Sequence, residues 1–85
     1  MITHLSLGDS RFARLRKLHG LMAAGQITFG GNRKLKIYGT LDCKSGKRMK
    51  VQRRVFFVGE TEAVQCGYRP CGHCLREKYQ AWRRH

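Results

Sequence analysis

Apolar positions along this chain change period several times, and each change marks an element. Phe12, Leu15, Leu18 and Met22 recur at three- and four-residue spacing, with Arg11, Arg14, Arg16 and Lys17 mostly between them, which predicts an amphipathic helix over residues 9–24. Asp9 or Ser10 can cap its start and Gly25 can end it. A chain this short needs every apolar face it has, so the stripe is expected to face the core. Ile27-Thr28-Phe29 reads as a short strand closed by Gly30-Gly31-Asn32, which is turn chemistry. Leu35-Lys36-Ile37-Tyr38 alternates and reads as a second strand. Val55-Phe56-Phe57-Val58 is apolar on both faces, as a buried central strand would be. Residues 60–66 predict a short helix with its acids in the first turn, where the helix dipole favours them, and Gly67 placed to end it. A last helix is expected over residues 72–84, with Leu75, Tyr79 and Trp82 on one face. Together these elements predict an α+β fold: one domain over residues 1–85, with a small antiparallel sheet flanked by helices.

Charge changes the picture most. Eighteen Lys and Arg face five Asp and Glu, a formal net charge of +13. Between Arg33 and Arg54 lie nine basic residues and one acid, Asp42. Clustered charge of one sign opposes compaction unless a counter-charge is in use, and nucleic acid is the first candidate, ahead of an anionic membrane surface. Met1 to Ser10 carries neither a basic segment nor a long apolar run, so no signal peptide is expected. No stretch approaches membrane-spanning length. These features predict a cytoplasmic protein, where cysteines serve as ligands more often than as disulfides.

The candidate chemistry lies in four cysteines: Cys43, Cys66, Cys71 and Cys74. Cys71 and Cys74 sit three residues apart on the turn Pro70-Cys71-Gly72-His73-Cys74, a spacing that can supply two corners of a tetrahedral site with sulfur at about 2.3 Å from the metal. Cys74 at the start of the last helix would gain from the dipole, and Arg69 would offset thiolate charge. Counting alone offers four thiolates. Cys66, at the end of the short helix, reads better as a small buried side chain than as a ligand. His4 and His85 are each able to supply a missing corner, and nothing in the sequence selects one. His73 is cramped inside the thiol loop and reads as a surface group or a phosphate contact. Cys-Gly-His-Cys is also a dithiol redox sequence, but the chain is short, lacks βαβ order and has a single proline.

The run Phe56-Phe57, Glu62-Ala63, Gly67-Tyr68-Arg69-Pro70-Cys71 and Cys74 resembles the signature of the zinc-binding N-terminal domain of the Ada DNA-repair methyltransferase, a domain also found in small stand-alone bacterial proteins. The resemblance covers residues 35–75. It implies a zinc-stapled α+β domain that binds DNA, in which one zinc-bound cysteine accepts a methyl group from a methylated backbone phosphate. The family's upstream half carries C-x3-C. Aligning Cys43 with the second of that pair puts Gly39 where the acceptor thiol belongs, which removes methyl transfer. The other alignment makes Cys43 the acceptor and Lys47 the second ligand. The first is preferred, because Ile37-Tyr38 then fills the family's apolar-aromatic positions. Under it the metal residues are Cys43, Cys71 and Cys74, the ion is Zn2+, and the fourth corner is open or filled by water, a histidine or Cys66.

With Cys43 tied to Cys71 and Cys74, the loop Lys44, Ser45, Lys47, Arg48 and Lys50 would lie beside Arg69 and His73 as one phosphate-binding face. The expected partner is nucleic acid, double-stranded DNA, with no membrane. The rival readings are a metal-stapled protein-interaction module and a residual methylphosphotriester acceptor using Cys43.

Overall fold

The structure is a computed structural model that describes residues 1–43 and 49–84. Five strands form one sheet in the order β1-β4-β2-β3-β5, where β1 is Ile2–Thr3, β2 Phe29–Asn32, β3 Ile37–Thr40, β4 Arg54–Phe57 and β5 Arg69–Pro70. Three helices accompany it: α1 over Arg11–Ala23, α2 over Glu60–Gln65 and α3 over Arg76–Arg83. The expected α+β class with a mostly antiparallel sheet is what the chain adopts. One pairing differs: β3 and β5 run parallel, with Ile37 beside Arg69 and Tyr38 beside Pro70. That pairing follows from the crossover through β4 and α2, which returns the chain to the outer side of β3.

Gly30-Gly31-Asn32 belongs to a strand rather than to a turn. Gly30 pairs with Gly39 and Phe56, and Gly31 with Tyr38 and Val55, at the centre of the sheet. The physical reason is close approach. A Cβ at Gly31 would come within 2.9 Å of the Ile37 carbonyl oxygen and 3.0 Å of the Phe57 ring. The reversal falls one step later. The Asn32 Oδ1 accepts from the Lys34 and Leu35 amides at 2.9 and 3.0 Å, and Lys36 takes a left-handed φ of 58°.

One face of the sheet carries Tyr38, Val55 and Phe57, which pack with Ala63 of α2 and with Tyr68; all five are buried. Phe57 meets the Tyr68 ring edge-on at 5.0 Å, and Phe29 meets Tyr38 at 5.9 Å. Tyr38 also ties three elements together. Its hydroxyl donates to Glu60 at the start of α2, and Lys78 of α3 pairs with the same carboxylate. Burial, with that hydrogen bond to Glu60, pushes the Tyr38 phenol up to about 12. Val58 lies beyond β4 and is exposed, so the apolar run predicted as one buried strand ends at Phe57.

The first helix departs furthest from expectation. Ser10 caps it, its Oγ accepting from the Ala13 amide, and Gly25 follows it with a φ of 72°. Yet none of its residues is buried, and Phe12 is 75 % exposed. The stripe is not core: α1 packs chiefly on the His4–Leu7 turn, and its Leu18 and Met22 line an open cleft instead of closing onto the sheet. That N-terminal segment escaped sequence reading. Ile2 and Thr3 pair with Phe56 and Val55, and the short 3-10 turn His4–Leu7 buries His4 against Phe56.

Candidate metal centre

Three elements bring the thiols together. Strand β3 ends at Thr40, and a turn closed by the Cys43 amide on the Thr40 carbonyl at 3.2 Å presents Cys43. Strand β5 ends at Pro70, and the next amide, of Cys71, donates to the Tyr38 carbonyl at 2.8 Å, so the ladder of β3 sets the position of Cys71. The chain then turns through Gly72 and His73 to Cys74. The helix expected to begin at residue 72 begins at Arg76, with Leu75 as its cap. Cys74 therefore sits in the turn before the helix, and the dipole argument for its thiolate does not apply.

The sulfurs of Cys43, Cys71 and Cys74 all lie within 4.8 Å of one another, and Cys43 Sγ is 3.9 Å from Cys71 Sγ. Tetrahedral zinc with bonds of about 2.3 Å holds its sulfurs about 3.8 Å apart, so the set fits one ion. All four cysteines are thiols. The amides of Thr40 and His73 point at Cys74 Sγ and Cys71 Sγ, each at 3.4 Å, placing positive hydrogen ends where a metal-bound thiolate carries its charge. Burial pushes the Cys74 thiol up, and the Thr40 amide works against that shift. Among the described residues this is the one group of three or more Cys, His, Asp or Glu side chains able to share an ion.

The other candidates for a fourth corner are elsewhere. Cys66 is exposed, neither with the triad nor in the core, because it caps α2 on its solvent side. His4 is 2 % exposed and packs on Phe56, outside the thiol group. His85 lies outside the described residues. Position 39, in contrast, faces the sulfurs: a Cβ there would come 2.7 Å from Cys74 Sγ and 3.2 Å from Cys71 Cβ.

A family model described as the metal binding domain of Ada matches residues 22–77, well over half of the chain. The chain belongs to the Ada metal-binding-domain family. No curated protein and no solved structure matches it. Membership and the thiol triad together make this an Ada-type zinc-binding site.

Of the phosphate contacts expected beside this Ada-type site, Lys44, Ser45, Lys47 and Arg48 lie outside the described residues. Lys50 and His73 are exposed. Arg69 is half-buried. Its guanidinium donates to the Pro70 carbonyl at 3.0 Å and lies over the Tyr79 and Trp82 rings at 5.1 and 5.5 Å. Sequence reading placed Tyr79 and Trp82 on one helix face, and they do stack on each other; their partner Arg69 became visible only once β5 stood beside α3. No helix among the described residues is long and apolar enough to cross a membrane.

Proposed function

We propose that this Ada-type domain holds zinc through Cys43, Cys71 and Cys74 and binds duplex DNA through its backbone phosphates, without accepting methyl groups. The charge carries the reading. Five acids cannot balance eighteen Lys and Arg. Two of the acids are also already engaged: Glu60 with Lys78 and Tyr38, and Glu62 with the N-terminus at 3.1 Å and the Val58 amide at 3.1 Å. The surface cations are left facing solvent, and a polyanion is the partner that would release their counterions.

The loss of methyl transfer rests on Gly39. Its close approach to the Cys74 and Cys71 side chains supports the alignment in which this position is the family's acceptor, and glycine offers no nucleophile. Zinc supplies a fixed divalent charge that fastens the turn of Cys43 to that of Cys71 and Cys74. With three thiolates the site carries a net charge of about −1, where four would give about −2, so it repels a phosphate backbone less.

Duplex DNA binding measured by fluorescence anisotropy over a range of potassium chloride tests this reading. Five or six phosphate contacts give a log–log slope of about −5. Retention that is weak even at low salt favours a protein-interaction module instead. A methylphosphotriester duplex should leave every cysteine unmodified by mass spectrometry, and methylation of Cys43 would restore the acceptor reading.

A further inference from the structure

The face of the sheet opposite the aromatic core is not packed shut. A cleft of about 570 Å3 lies over it, and both Cys43 and Cys71 line it. Gly30 and Gly39, direct partners across β2 and β3, lie on its sheet side, Gly30 with no side chain of its own there and Gly39 beneath the Cys71 and Cys74 side chains. Ile37, Leu41 and Phe56 form apolar walls on the sheet side. Leu18 and Met22 of α1 close the far side, which gives the helix stripe that fails to reach the core an apolar surface to face. The thiol cluster thus opens onto a largely apolar space, and among the described residues three side chains, not four, are placed to hold an ion.

We propose that this cleft admits a small thiol with an apolar body, whose sulfur completes the metal's coordination from the cleft side, where Cys43 and Cys71 face it. The inference rests on the zinc reading given above. The thiol is the class of donor that matches a site already built from soft sulfur ligands. On binding it gives its proton to solvent and joins as a thiolate, with no change in oxidation state. The net charge of +13 offsets the added negative charge. The apolar walls select the body of the ligand: an aryl group would bury its ring against Phe56, Leu41 and Met22, where a short polar chain would not.

The full chain loaded with cobalt(II) reports directly on sulfur ligation through its sulfur-to-cobalt charge-transfer absorbance. Titration with thiophenol should raise that absorbance saturably by about one third, the share of one thiolate added to three. Thiophenol should bind at least about tenfold more tightly than 2-mercaptoethanol, and Met22→Glu should remove most of that preference without changing cobalt loading. Gly39→Cys should show the higher absorbance unaided and ignore thiophenol. A wild-type protein that already has four-thiolate absorbance, or that does not respond to thiophenol, overturns the proposal, as does equal affinity for the two thiols. Because Gly39→Cys must push Cys74 aside to fold, the wild-type titration and Met22→Glu decide the matter without it. Cobalt absorbance that is absent, or that survives Cys71→Ser, refutes the zinc reading itself and the proposal with it. A loaded protein with Cys71-dependent, three-thiolate absorbance that ignores thiophenol refutes only the proposal.

Discussion

A side chain at position 31 has nowhere to go. The Ile37 carbonyl stands 2.9 Å from where its Cβ would lie, with Phe57 and Val55 at 3.0 and 3.2 Å, and a backbone oxygen in the middle strands of a sheet yields little. Gly31→Ala should lower unfolding stability by about 1–3 kcal/mol, read from urea denaturation of the zinc-loaded protein. His4 sets a second constraint. It is buried, its Nδ1 lacks a hydrogen-bond partner among the described residues, and burial, with Arg54 and Arg14 nearby, holds its pKa below the ordinary 6.5. The folded protein therefore resists protonating a group that the unfolded chain protonates freely. Its contribution is fully present above pH 6.5 and is lost as pH falls from there toward the lowered folded value. The urea midpoint should drop between pH 7.5 and 5.5, and His4→Phe should reduce that drop; an unchanged pH dependence in the variant would contradict this. Cys71 and Cys74 were legible in the sequence because a Cys-x2-Cys turn announces itself, and Cys43 joined them through the resemblance to the Ada signature. Nothing around His4 announced burial, since its depth comes from two residues of β1 pairing with a strand some fifty positions away.

Helix α1 is an element formed by its own sequence more than by its surroundings. It is capped by Ser10 and followed by Gly25, but it buries no residue and meets chiefly the His4–Leu7 turn. Elements with little buried surface open locally at low free energy. Ser10→Ala removes the hydrogen bond to the Ala13 amide and should cost about 1 kcal/mol of helix stability. The change should show as faster amide exchange confined to residues 11–23, with metal affinity unmoved. Apolar patterning located α1 and β4, one long and the other apolar enough to carry a pattern, while α2 was read from the acids of its first turn and from Gly67 at its end. The same reasoning assigned the α1 stripe to the core, since an amphipathic pattern gives a direction and not a destination. It missed β1 and β5 because two residues have no period, and it took Gly30-Gly31-Asn32 for a turn because glycine needed for close packing looks the same in sequence as glycine needed for a bend.

For the molecule as a whole, a chain of 85 residues with so much charge of one sign has little margin. Its buried apolar set is small, and Cys71 is part of it. The metal would join the turn after β3 to the turn after β5, so folding and metal binding are coupled. Chelation at neutral pH, or Cys71→Ser, should abolish the cooperative thermal transition seen by circular dichroism, and added zinc should restore it only in the unmodified chain. The α+β class and the thiol set could be read in advance; the parallel placement of β5 could not, because it depends on a crossover whose hand and landing site are decided by packing. That placement has a consequence for handling the protein. Strand β5 is held to β3 by few hydrogen bonds, among them Arg69 to Lys36 and Cys71 to Tyr38. Once it lets go, the outward amides and carbonyls of Ile37–Thr40 are bare, a docking rail for the same strand of a neighbour, so at high concentration chains part-way through losing the ion, with β3 still in the sheet, should self-associate edge to edge.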